Sequence, residues 1–178
     1  METDKELEAV ALLLDLPEYE VVAVTRDESR KLWRFTLIPK VAVGLCPHCG
    51  SVCAKRHLCR DREVRDLPLG GWSTELIVRT WQFECVRCGR FHTARFSALA
   101  ETAHATERLL ERLAELAGRG DVSLAGRFYG IPEKTVEEWY YEYVRRRQGQ
   151  PQADVQPVRS LGIDELSLKK NIGSSSRC

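Results

Sequence analysis

Apolar side chains recur in two rhythms along this chain, and the change from one to the other comes near residue 106. An acidic start over residues 3–15 sets Leu7, Val10, Ala11 and Leu14 at the spacing of one helical face, and Pro17 ends it. Residues 19–25 and 31–38 are rich in β-branched and aromatic side chains around a polar stretch at 26–30, which predicts an antiparallel hairpin. Residues 62–67 and 74–83 read as two further strands joined by a turn at 68–71. In the second of these, Ile77, Trp81 and Phe83 share one face, and Leu76 and Val78 the other. A strand apolar on both faces is expected to pack on both. Trp72 and Trp81 are expected as core or edge aromatics.

Beyond residue 106 the period becomes helical. Leu109, Leu110, Leu113, Leu116 and Ala117 form a stripe, with Thr106 as N-cap and Gly118 as the stop. Asp121 or Ser123 caps a second short helix whose Leu124, Ala125 and Phe128 are expected to face inward, and Gly130 closes it. A third helix is predicted over 133–147, with Val136, Trp139, Tyr140 and Tyr143 as its buried stripe. Residues 123–136 have the logic of a helix-turn-helix: small Ala125 at the crossing, glycine at the turn, Ile131 and Val136 sealing the corner. A plain three-helix packing module is the alternative. In the first reading Lys134, Thr135 and Glu138 face base edges, and Arg127, Arg145, Arg146 and Arg147 lie near phosphates. Glu133, Glu137 and Glu138 oppose a polyanion, unless one accepts from a cytosine amino group.

The strongest chemical signal is a repeated knuckle, Cys46-Pro47-His48-Cys49-Gly50 and Cys85-Val86-Arg87-Cys88-Gly89. Two thiolates two residues apart can grip one metal ion, and the glycine lets the backbone turn back beneath them. Cys46, Cys49, Cys85 and Cys88 therefore supply the four sulfurs of a closed tetrahedral zinc site. Cys53, Cys59, His48, His57 and His92 are alternative donors, although Cys53 and Cys59 also suit a small apolar filler or a spare thiol. A disulfide framework fits poorly, because the chain has 7 cysteines and its acidic first residues do not resemble a signal peptide. A redox dithiol would call for a βαβ setting that the flanking residues lack.

Net charge is +1, which excludes a uniformly basic coat. The distribution is uneven: residues 1–45 carry six basic and nine acidic side chains, and 46–100 carry nine basic and five acidic. Positive charge thus gathers on the cysteine segment, where Lys55, Arg56, Arg60 and Arg62 are candidate phosphate contacts. No stretch is long and apolar enough to span a membrane, and a soluble cytoplasmic protein is expected. Residues 148–158 have a linker composition, and 158–168 read as the start of a further strand.

The order of parts resembles the bacterial insertion-sequence transposases of the ISL-three family over about residues 17–170. The resemblance rests on the paired knuckles, Arg65-Asp66-Leu67-Pro68 read as a turn between them, the helix-turn-helix pattern, and Gly162-Ile163-Asp164-Glu165 downstream. It implies an α+β architecture: an N-terminal helix and hairpin (1–45), a zinc ribbon (46–100), a helix-turn-helix (104–147), a linker (148–158) and the beginning of an RNase H-like DDE domain (159–178). It also implies binding to double-stranded DNA bearing terminal inverted repeats, with a homo-oligomer as a candidate assembly. Asp164 looks like the first catalytic aspartate. One carboxylate cannot hold the two Mg2+ ions an intact relative would use, so the chain is expected to be a truncated, inactive transposase. The rival readings are a transcriptional regulator with the same modules and a protein-interaction zinc ribbon.

Overall fold

The computed structural model describes residues 2–41 and 43–148. It is a mixed α+β structure of seven strands and four helices among those residues. Helix α1 (Glu2–Leu14) precedes the hairpin β1 (Tyr19–Asp27) and β2 (Leu32–Pro39). Two short strands, β3 (Gly44–Leu45) and β4 (Val52–Cys53), flank the first knuckle. The long strands β5 (Arg56–Leu69) and β6 (Trp72–Glu84) follow, then β7 (Phe91–Thr93). Helices α2 (Glu107–Arg119), α3 (Val122–Tyr129) and α4 (Glu133–Gln148) complete the described chain.

The main sheet has the order β1-β2-β6-β5, antiparallel except for the parallel pair β2 and β6. The N-terminal hairpin and the long strands of the ribbon therefore share one sheet. β2 covers one edge of β6 only from Ser73 to Val78, and β7 takes Gln82 to Glu84 of β6 further along.

The two-sided apolar pattern of β6 has a direct structural use. Leu76 and Val78 enter the main core with Phe35, Leu37 and Val64, over which α1 lays Leu7, Val10, Ala11 and Leu14. Trp81 and Phe83, of opposite parity, enter a separate small core with Cys46, Cys53 and Cys85. A third core joins α2, α3 and α4, centred on Leu109, Leu110, Leu113, Ala125 and Val136. Each fully buried leucine there contributes about 1.5–3 kcal/mol relative to exposure.

Several expectations from sequence are corrected. The reversal between β5 and β6 is a two-residue turn at Gly70 and Gly71, both at positive φ, with Leu69 paired to Trp72. Arg65 to Pro68 is thus not a turn; it lies within β5, with an irregular register between Asp66 and Leu69. Gly118 does not stop α2; the helix continues to Arg119 and Gly120 caps it, its N–H donating to Leu116 O. Leu124 and Phe128 face solvent, 41% and 67% exposed, because Ala125 and Gly126 occupy the packed side of α3. In α4 only Val136 is fully buried, and Trp139, Tyr140 and Tyr143 lie partly covered at the rim of the core. The N-caps hold: Thr106 Oγ1 accepts from Leu109 N, and Asp121 from Leu124 N.

Candidate metal centre

Both knuckles close in the same way. Cys46 N donates to Ser51 O at 2.9 Å and Gly50 N to Cys46 O at 2.9 Å; Cys85 N donates to Arg90 O at 2.9 Å and Gly89 N to Cys85 O at 2.7 Å. Gly50 and Gly89 sit at φ of 69° and 70°, the left-handed conformation that closes each turn beneath its sulfurs. The first knuckle is anchored by β3 and β4, the second by the β6–β7 pair, and Phe83 packs between them.

These turns bring Cys46, Cys49, Cys85 and Cys88 together with all four sulfurs within 4.8 Å of one another. Cys46 and Cys88 are 3.6 Å apart, and Cys49 and Cys85 3.5 Å. A tetrahedral zinc with Zn–S bonds of about 2.3 Å sets its sulfurs roughly 3.8 Å apart, so the donor set fits that ion in number, chemistry and spacing. The backbone N–H of Cys88 helps draw the Cys85 thiol down to about 6 and Ser51 lowers that of Cys49, while, against a lowering backbone bond at Arg90, burial and the three neighbouring thiols push Cys88 up to about 12. Thiolate is the form a metal takes.

The alternative donors lie elsewhere. Cys53 is buried beside the cluster, but burial pushes its thiol up to about 11 and its Sγ contacts Ser51 O. It fills the core as a neutral group. Cys59 is exposed on β5, and His57 packs against Phe91. His48 is exposed, its Nδ1 2.9 Å from Arg90 Nη1. His92 is buried against Phe83.

The basic residues predicted to meet DNA divide into two groups. Lys55 pairs with Glu84, and Arg56 lies over the Trp81 ring at 4.1 Å. Arg62 donates to Ala100 O and Ala103 O at 2.9 and 2.6 Å. Arg146 pairs with Glu107 and Arg147 with Glu111, which fastens the end of α4 to α2. By contrast Arg60, Lys134 and Arg145 are exposed and form no ion pair among the described residues, and Arg127 donates only to Ser123 Oγ. Glu138 is exposed and Thr135 partly so. Asp164 lies outside the described residues, as do the predicted linker and downstream strand.

Two features were not anticipated from sequence. Arg87 and Arg90, exposed on the second knuckle beside the sulfurs, add positive charge that meets no carboxylate among the described residues; arginines inside and just after a C-x-x-C-G motif were visible signals. Asp66 is the other: its carboxylate, 1% exposed, accepts from Thr106 Oγ1 at 2.7 Å and Arg108 Nε at 2.8 Å. Backbone bonds from Arg65 N to His104 O and from Thr106 N to Arg65 O flank it, and Arg65 Nη1 reaches Gly130 O at 3.0 Å. Arg65 and Asp66 thus lock the helices onto the sheet. Nothing local in the sequence pairs residue 66 with 106 and 108.

Residues 42–88 match a family model described as the zinc-finger of transposase IS204/IS1001/IS1096/IS1165. The matched segment contains all four clustered cysteines. The transposase for insertion sequence element IS1001 of Bordetella parapertussis is 29% identical over 151 residues, covering 85% of this chain and 36% of the relative. The chain thus spans a little over a third of that relative's length. No solved structure matches. No helix among the described residues is long and apolar enough to cross a membrane. With four sulfurs gathered inside the matched segment, the chain contains a segment similar to the zinc-finger of the IS204/IS1001/IS1096/IS1165 transposases and is similar to the IS1001 transposase over most of its own length.

Proposed function

We propose that this chain is the DNA-recognition part of an insertion-sequence transposase, in which a structural zinc holds the ribbon and the duplex bound carries terminal inverted repeats. The observation that carries the reading is the four-sulfur cluster within the transposase zinc-finger segment, bordered by exposed Arg87 and Arg90, which form no ion pair among the described residues, with exposed Arg60 further back on β5 opposite Thr80. Cys46, Cys49, Cys85 and Cys88 would hold the ion. A closed thiolate site supplies folding energy and leaves no open position for chemistry.

The helices support a helix-turn-helix reading. A Cβ on Gly126 would sit 2.8 Å from Ile131 O, so α3 and the following turn approach more closely than any larger residue permits. Gly130 ends α3 in the left-handed conformation, and Ile131 and Val136 are buried at the corner. This leaves Lys134 and Glu138 exposed on α4, free to meet a major groove, with Thr135 partly so.

A second reading draws on a specific observation. Leu124 and Phe128, one turn apart and exposed on α3, together with exposed Glu137 and Glu138, would suit a protein partner. Fluorescence anisotropy of the zinc-loaded chain on a labelled terminal-repeat duplex and a scrambled duplex separates the two. Preference for the repeat, weakening with salt, is expected. Equal affinity for both duplexes removes sequence recognition, and no binding to either at low salt favours the protein partner.

A further inference from the structure

The proposed ribbon contact and the proposed helical contact lie toward opposite ends of the same strand. Gly130, in the turn between α3 and α4, stands at the beginning of β6: a Cβ built on it would be 4.0 Å from Ser73 Oγ, and its carbonyl accepts from Arg65, which pairs near that end of the hairpin. The second knuckle begins at Cys85, twelve residues further along β6. An extended strand rises about 3.3 Å per residue, so the separation is at most about 40 Å, and strand twist shortens it. One turn of B-DNA is about 34–36 Å.

The course of α4 agrees with this. Its first turn lies beside Ile131 and Gly126, while its far end returns toward the knuckles, since Arg146 and His48 line one open cleft of about 1020 Å³. The span is also rigid. Arg62 holds the carbonyls of Ala100 and Ala103, Arg65 is bridged to Ala105, and Asp66 holds Thr106 and Arg108. The connector cannot lengthen or swing without breaking these bonds.

Resting on the DNA-binding reading, we propose that the chain acts as a fixed calliper on duplex DNA. The ribbon end, through Arg87 and Arg90, and the first turn of α4, through Lys134, contact two patches about one helical turn apart. Spacing between the patches is then a specificity determinant in its own right. A transposon end with the correct sequence elements at the wrong separation is rejected.

The test uses the zinc-loaded chain and a duplex selected from a randomised 30-base-pair pool, footprinted with hydroxyl radicals. Two protected patches centred about 10–12 base pairs apart are expected. Combined Arg87→Ala and Arg90→Ala should erase one patch, and Lys134→Ala should weaken the other; all three residues are exposed, so circular dichroism should be unchanged. Inserting five base pairs between the patches should weaken binding at least tenfold. A single continuous patch, tolerance of the insertion, or both variants affecting the same patch overturns the calliper while leaving DNA binding intact. Failure to select any duplex at low salt removes the DNA-binding reading and the calliper with it.

Discussion

The ribbon end and the helical end of this molecule are held by different physics. The helical core gathers ten buried apolar residues from three helices and the connector before them. The ribbon core has only five, three of them cysteines. A cluster of that size excludes too little apolar surface to order two knuckles by itself, which is why small units of this kind depend on a metal or on cross-links. The helices fold by burying leucine; the ribbon folds by satisfying sulfur. Between them lies a joint of another kind, a buried carboxylate and three arginines that bond across the gap.

The largest expected effect separates these two ends. Removing zinc with a strong chelator, or substituting Cys85→Ser, should collapse the knuckles while the helices keep their ellipticity, because structural zinc is worth about 10–16 kcal/mol to such sites. Two-dimensional NMR would show it as selective loss of dispersion for residues 44–60 and 84–93. Loss of α2–α4 signals as well would mean that the two cores do not fold separately.

Next in size is the joint. Asp66→Ala removes a buried acceptor from Thr106 and leaves the half-buried Arg108 guanidinium without its partner. A loss of about 2–3 kcal/mol is expected from urea unfolding, whether or not zinc is present. A change below about 0.5 kcal/mol would show that the sheet and helices are held by packing alone. The smallest effect belongs to the helical end. Gly126→Ala should cost about 1–2 kcal/mol through its clash with the Ile131 carbonyl, with no change in zinc content by elemental analysis. A neutral result would mean that α3 can shift away from the turn.

Much of the chain was legible because local chemistry dictates it. The stripe of α1, both N-caps, the β1–β2 hairpin and the two-sided pattern of β6 follow from side-chain period and capping, which act over a few residues. The cysteines were legible because a metal site requires a fixed set of donors. Errors arose where neighbours decide. Leu124 and Phe128 are as apolar as the buried positions around them, yet α3 turns its small residues inward because the crossing admits no bulk. Gly118 had the composition of a helix stop, but continued packing of α2 against α4 carries the helix past it.

By itself, then, the sequence determined most of the main elements, the four cysteines that cluster and the resemblance to a transposase family, since each rests on residues close together or on a donor count. Only the tertiary structure decided which arginines are already occupied, that the hairpin and ribbon share one sheet, and that Arg65 and Asp66 form a joint. The joint and the fastening of α4 to α2 depend on contacts between residues 36 to 65 positions apart, which no local pattern encodes. The arginines left without an ion pair among the described residues, and hence the surface that the proposed function assigns to DNA, are what remains after those contacts are made.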